Sequence, residues 1–466
     1  MIGHRRAAAR TAAVVLSIPL LSFLTVAALA PQNPAAADKP AMARLKAYVE
    51  AFNSDVQGTM KAFFAAHLAD SAIKEIPVEQ RVTRFRGAKS RLKSLEIQRV
   101  LSDEAVQASV LAKAGNGEVL MIRATVEKTP PQKLLSLSID LVEDPDNIVV
   151  PDPKAGEKEF VAAVREFLEA QTKADEFSGV VLVAKEERIY FHEAYGLADR
   201  EKQVPNRKDT KFNLGSINKN FTRVAIHQLV RQGKIGLDDK IGKYIPDYPN
   251  AQAAENVSVR QMLNMTSGIG DFFGGRFDAT PKEKIRTLRD YLPLFADLPL
   301  EFEPGASNKY SNGGYIVLGL IIETASGIDY YTYVRENITK PCGMTETDSY
   351  ARDADVANMA RGYTREGEGS AGPRVLNFAT LPGRGSSAGG GYSTAGDMLK
   401  YVMAIRDKKI YLPDSANGLG IAGGAPGINS ILEWDPRSGY IVIVLTNFDP
   451  PTAGQTARRI VGWLPL

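Results

Sequence analysis

The spacing of apolar residues changes character along this chain. Between Ala41 and about Leu92 it is helical, with Leu45, Tyr48, Val49 and Phe52 on one stripe and Met60, Phe63, Phe64 and Leu68 on another. From Leu95 to Val142 the period drops to two. The runs Leu95-Glu96-Ile97, Val106 to Leu111, Val119 to Val126 and Leu134 to Leu141 predict four strands, with Asn116-Gly117 and Pro130-Pro131 as breaks between the later ones. Helices followed by antiparallel strands predict a small α+β domain over residues 41–143. The prolines and acids of residues 144–156 then read as a linker.

A second unit, residues 157–466, opens on a helical pattern from Lys158 to about Gln171. Gly179 to Ala184 and Arg188 to Ala194 predict a hairpin, and Ile428 to Trp434 with Tyr440 to Thr446 predict another near the far end. A helix from Pro451 to Trp463 closes the pattern. Strands at both ends, with mainly helical sequence between them, imply one antiparallel sheet assembled from distant segments. The helical middle then packs on and beside that sheet.

With 44% hydrophobic and 24% charged residues, the 466-residue chain has a globular rather than a disordered composition. Its beginning differs from the rest. Arg5, Arg6 and Arg10 precede an uncharged run from Thr11 to Ala30 that ends in small residues, the pattern of a signal peptide over residues 1–30, and residues 31–40 read as a Pro/Ala tether. The implied location is periplasmic or secreted. The alternative is an uncleaved N-terminal anchor, because the apolar run is about as long as a bilayer-spanning helix. Removing the three arginines takes the formal charge from +3 to zero, so nothing in the remainder indicates a nucleic-acid or acidic-lipid partner. Cys342 is the only cysteine and is expected to be a buried structural thiol. No cluster has metal-ligand spacing, so neither a metal nor an organic cofactor is implied.

Ser216-Ile217-Asn218-Lys219 carries the candidate chemistry. Residues at i and i+3 share a helix face, and a serine hydroxyl needs a nearby base, which a desolvated lysine supplies. The helical period of Ile217, Phe221, Val224 and Leu229 places Ser216 in a first turn, where free N–H groups hold anions. Taken alone, the pair is better explained as a capping serine and a solvated lysine. Three further stretches change that balance. Tyr310-Ser311-Asn312 lies in a loop ahead of the apolar helix Tyr315 to Ala325, Met262 to Gly268 precedes a glycine-rich loop, and Gly423-Gly424-Ala425-Pro426-Gly427 precedes a predicted strand.

Together with Asp209 to Lys219, Gly236-Leu237-Asp238-Asp239 and Ala388 to Thr394, these stretches occur in the order that makes residues Phe160 to Trp463 resemble the serine β-lactamase and penicillin-binding-protein superfamily, in its class C-like, esterase-like branch. The resemblance implies an α+β, β-lactamase/transpeptidase-like domain: an antiparallel sheet flanked by helices, an all-helical subdomain, and a catalytic cleft between them. It implies acyl-enzyme chemistry, with Ser216 as nucleophile and with Lys219, partly neutral through burial, sharing proton transfer with Tyr310. Asn312 would hydrogen-bond the lysine and the substrate. The Gly423-Gly424 pair would supply the oxyanion hole through the Gly424 N–H, alongside that of Ser216. By pattern the N-terminal domain resembles cystatin-like and nuclear-transport-factor-like domains, and is expected to be a packing or spacing module.

Two positions depart from the relatives. Ile421 stands where a lysine or histidine usually begins the third motif, and Met265 stands where a histidine commonly precedes Thr-Ser-Gly. His192 and His227 read as structural, so catalysis would depend on Ser-Lys-Tyr. The leading expectation is a secreted serine hydrolase acting on a small ester, amide or peptide, with carboxylate-bearing substrates disfavoured by Ile421. The alternative is a weakened hydrolase scaffold that binds or senses cell-wall-derived or other small ligands.

Overall fold

The computed structural model describes residues 38–54, 56, 58–142, 156–366, 372–413 and 415–464. The signal-peptide reading, nearly all of the tether and nearly all of the linker therefore lie outside the described residues. The chain divides into two compact units, Met1–Ile148 and Val149–Leu466.

The first unit runs α1 (Pro40–Asn53), α2 (Thr59–His67), α3 (Asp70–Glu75), α4 (Val78–Leu92), then β1 (Leu95–Asp103), β2 (Gln107–Ala114), β3 (Val119–Val126) and β4 (Leu134–Val142). The four strands form an antiparallel meander in chain order. The stripes of α1 and α2 cover one sheet face, packing Leu45, Phe52 and Phe64 with Val110, Leu120 and Ile122. Strand β1 extends well past the predicted Ile97. Its register shifts between Ile97 and Arg99 and again between Val100 and Ser102. Each irregularity breaks the inward/outward alternation, which is why the second half carries no period-two signal.

In the second unit α5 (Glu157–Lys173) leads to β5 (Gly179–Lys185) and β6 (Arg188–Tyr195). The helical middle includes α6 (Lys219–Arg231), α7 (Asn312–Ser326) and α8 (Ala395–Arg406). The chain returns through β7 (Leu419–Ala425), β8 (Ile428–Trp434) and β9 (Tyr440–Thr446) to α9 (Thr452–Val461). One antiparallel sheet results, in the order β7-β8-β9-β5-β6. Its centre joins residues far apart in sequence, with Gly179 opposite Thr446 and Lys185 opposite Tyr440.

Strand alternation divides the core. Val180, Leu182, Ile441, Ile443 and Leu445 face the helical middle, whereas Val181, Val183, Val442 and Val444 face α5 and α9. The sheet is thus covered on both faces and its central strands are apolar throughout. Strand β7 was not predicted, because Leu419-Gly-Ile-Ala-Gly-Gly-Ala has too few large apolar residues to show alternation. It lies at one edge of the sheet and, among the described residues, pairs only with β8.

The division of the core predicts a steep difference between two isoleucines. Ile443 is fully buried in the central strand, whereas Ile189 on the edge strand is 47% exposed. Ile443→Ala should cost about 2–5 kcal/mol in chemical denaturation, and Ile189→Ala no more than about 0.5 kcal/mol.

Candidate active site

Ser216 is presented by a tight turn ahead of a helix rather than by the helix itself. The short strands Phe212–Asn213 and Tyr392–Ser393 pair with each other, and the Gly391 carbonyl accepts the Leu214 N–H at 2.8 Å. Asn213 Oδ1 accepts the Gly215 N–H at 2.9 Å. The chain then makes the 3₁₀ turn Gly215–Asn218 and continues directly into α6. Gly215 has φ +52°, and a Cβ on it would lie 2.9 Å from the Gly424 nitrogen. Glycine meets both demands without strain.

Lys219, the first residue of α6, is buried at 5% exposure, with its Nζ 3.3 Å from Ser216 Oγ. It donates to Asn312 Oδ1 at 2.6 Å and to the Ala388 carbonyl at 2.5 Å. Tyr310 Oη donates to Ser216 Oγ at 2.6 Å, and its ring centroid lies 4.7 Å from the lysine Nζ. Helix α7 starts three residues earlier than the apolar pattern predicts because Ser311 caps it. The Ser311 Oγ accepts the Gly314 N–H at 2.9 Å and donates to the Gly270 carbonyl at 3.1 Å. One cap therefore fixes Tyr310 on its loop side and Asn312 on its helix side.

Two members of this cluster were not identified from the sequence. Asp271 Oδ2 accepts from Asn312 Nδ2 at 2.7 Å, which turns the amide so that Oδ1 faces Lys219. Ala388 contributes only its carbonyl, which no side chain advertises. Its segment, Ala388 to Thr394, was conspicuous in the sequence; Gly389 packs against the Ser216 turn and Gly391 against Asn218.

The electrostatics follow from burial. Desolvation holds the Lys219 ammonium down to about 7, and the negative charge of Asp271 opposes that shift. Desolvation also raises the Tyr310 phenol above its ordinary value; the hydrogen bond to Ser216 opposes the rise and Asp271 adds to it. Near neutral pH the cluster therefore combines a partly unprotonated amine with a protonated phenol.

The Ser216 turn lies against the sheet edge. Gly424 lines the cleft beside Gly215 and Ser216. Gly423 is buried and does not line it; a Cβ there would overlap the Leu214 carbonyl oxygen. Gly423 thus permits close approach, while Gly424 is exposed to the cleft. The cleft itself has a volume of about 660 Å³, with Ser216, Tyr310 and Asn312 in its wall.

The two departing positions have packing roles. Met265 adopts φ +58°, and its Sδ accepts the Ser311 N–H at 3.4 Å while its carbonyl accepts the Lys309 N–H at 2.9 Å. It therefore braces the Tyr310 loop. Ile421 packs against the large core and does not line the cleft. Neither His192, in β6 opposite Leu182, nor His227, beside Tyr411, is a cleft residue. Cys342 is half-buried, and burial pushes its thiol up to about 11, away from the reactive thiolate. Among the described residues, no group of three or more His, Cys, Asp or Glu side chains is placed to hold a metal ion, and no helix is long and apolar enough to cross a membrane.

Comparison with known proteins agrees with this architecture. Residues 162–419, more than half of the chain, match the family model described as Beta-lactamase. Penicillin-binding protein 4* of Bacillus subtilis (strain 168) is 34% identical over 193 residues, an alignment that covers 40% of this chain and 42% of that relative. The chain thus spans less than half the length of that relative. A penicillin-binding protein from Bacillus halodurans superposes with a TM-score of 0.57 at 29% identity, covering 63% of this chain and 98% of the other. EstCE1, described as a hydrolase with promiscuous acyltransferase activity, superposes with a TM-score of 0.54 at 22% identity, covering 66% and 99%. At that identity the likeness concerns the fold.

The burial of Lys219 yields a direct expectation. In NMR titration of ¹³Cε-labelled lysines, Lys219 should titrate near 7, whereas exposed lysines titrate near ~10.4. Asp271→Asn keeps an acceptor for Asn312 but removes the charge that raises the lysine, so the midpoint should fall further. A Lys219 midpoint above about 9.5 would contradict the buried, partly neutral amine.

Proposed function

The chain belongs to the beta-lactamase family, and from that premise we propose that it cleaves an ester or amide through an acyl intermediate on Ser216. The observation that carries this reading is the pair of hydrogen-bond distances at Ser216 Oγ, 3.3 Å to Lys219 Nζ and 2.6 Å to Tyr310 Oη. A neutral amine has two N–H groups and one lone pair. The acceptors Asn312 Oδ1 and the Ala388 carbonyl take the two N–H groups, which leaves the lone pair for the serine hydroxyl.

In the proposed reaction Lys219 takes the proton from Ser216 as Oγ attacks the carbonyl carbon. The N–H groups of Ser216 and Gly424 receive the negative charge that develops on the carbonyl oxygen, a contribution of about 3–4 kcal/mol for one such donor. Tyr310 donates its phenolic proton to the departing oxygen or nitrogen as the carbon–heteroatom bond breaks. The Lys219 ammonium then returns a proton to the phenolate. Water then attacks the acyl carbon with a proton passing to Lys219, and as the carbon–Oγ bond breaks the Lys219 ammonium gives that proton to Ser216 Oγ, releasing the acid and restoring the serine and the neutral amine. Asn312 and Asp271 act through the lysine: one orients the amine, and the other fixes the amide that does so.

The N-terminal sequence pattern supports export, so the proposed enzyme works in a periplasmic or extracellular setting. A binding-only role was motivated by Met265 and Ile421, and both residues now have packing roles that leave the four polar side chains intact.

A fluorophosphonate probe should form an adduct on Ser216 in the folded protein and none on Ser216→Ala; an unlabelled Ser216 removes the proposal. Turnover of p-nitrophenyl esters separates catalysis from binding. Because the base acts unprotonated, kcat/KM should rise with pH and level off above a midpoint near 7. Lys219→Met should lower kcat by about 10²–10⁴-fold and abolish that midpoint.

A further inference from the structure

Resting on the assignment of Ser216 as nucleophile, we infer that the cleft beside it is a subsite for a bulky, uncharged, apolar group of the substrate. Its volume of about 660 Å³ is far more than an acetyl group fills. The wall nearest Asp271 in sequence is aromatic. Phe272 lies 4.4 Å from Phe273 and 4.8 Å from Tyr291 between ring centroids, and Phe273 lies 5.0 Å from Phe277. All four rings line the cleft, yet Phe273 remains 53% exposed. Leu381, Pro382 and Ile428 extend the apolar lining. Phe272, Phe277 and Tyr291 are buried, so Phe273 alone of the four rings leaves a large aromatic face in water, and covering that face with an apolar group gains free energy.

The charges in the same wall point the same way. Three charged residues line the cleft: Asp278, Lys282 and Arg352. An ammonium has three N–H donors, and Lys282 directs its own to the carbonyls of Phe277, Asp278 and Thr280, at 2.6, 3.2 and 2.9 Å. Its Nζ also lies 4.5 Å from the Phe277 ring centroid. Arg352 donates to the carbonyls of Phe378 and Leu381 at 3.1 and 3.0 Å, lies over the Phe378 ring at 4.1 Å, and is 3.8 Å from Glu283. Lys282 is thus fully committed to the fold, and Arg352 is anchored by its Nη1 with its charge offset by Glu283. Position 421 holds an isoleucine that packs against the core and adds no charge. A substrate carboxylate entering this cleft would lose water, find the Lys282 donors already used and the Arg352 charge offset by Glu283, and approach Asp278. An apolar group meets no such cost.

Two series of esters test this: p-nitrophenyl esters from acetate to octanoate, and straight-chain alkyl acetates followed by pH-stat. In at least one series kcat/KM should rise about two- to fourfold per added methylene. Mono-p-nitrophenyl succinate should be at least about tenfold poorer than the neutral butyrate ester. Phe273→Ala should lower the octanoate-to-acetate ratio. Flat dependence in both series, an anionic ester equal to the neutral one, or a ratio unchanged in Phe273→Ala would overturn the subsite. Calorimetric binding of long and short neutral esters to Ser216→Ala gives the same ranking without turnover. Equal affinities there overturn the subsite, whereas a chain-length gain in binding with no turnover by the natural protein counts against the Ser216 chemistry instead.

Discussion

The second unit is organised around the burial of one amine. Removing an ammonium from water is costly, and a protein answers by neutralising the group, by surrounding it with acceptors, or by both. Lys219 shows both responses. Its ionisation is pulled down to about 7, and its hydrogen-bond partners are the Ser216 turn just before it and two groups distant in sequence, Asn312 at the start of α7 and the carbonyl at Ala388. Each partner is itself anchored, Asn312 by Asp271 and Tyr310 by the Ser311 cap with Met265 behind it. The positions of α6, α7 and the glycine-rich segment are thus tied together by a single nitrogen.

Most of this was legible where the message lies in side-chain type or period. The helical stripes, the strands β5, β6, β8 and β9, and the Ser, Lys, Tyr and Asn positions all fall in that class. Three things were hidden for identifiable reasons. β7 is built largely of small residues and has no hydropathy alternation to read. Ala388 acts through its backbone, and Asp271 meets a residue 41 positions away. Gly423 and Gly424 look alike in sequence, yet one is packed and the other lines the cleft, because successive residues of a strand face opposite ways.

The departures from the relatives' motifs also change meaning once they are placed in the fold. Met265 and Ile421 do not leave holes where polar groups used to be. One accepts a backbone N–H with its sulfur, and the other adds to the hydrophobic core. Neither residue adds a charge to the cleft, whose wall beside Asp271 in sequence is aromatic.

The pairing of Gly179 with Thr446 has a consequence in time. Gly424 stands beside Ser216 in the cleft wall but lies far later in sequence, on a sheet-edge strand that is held by β8 and, through it, by β9. Contacts of such sequence separation form late and raise the contact order of the fold. Ser216 and Lys219 can meet within one helical turn, whereas the edge strand beside them cannot be in place until the sheet closes from both ends. A partly made or partly folded chain would carry the serine without the neighbouring strand, so reactivity at Ser216 would report completion of the whole second unit.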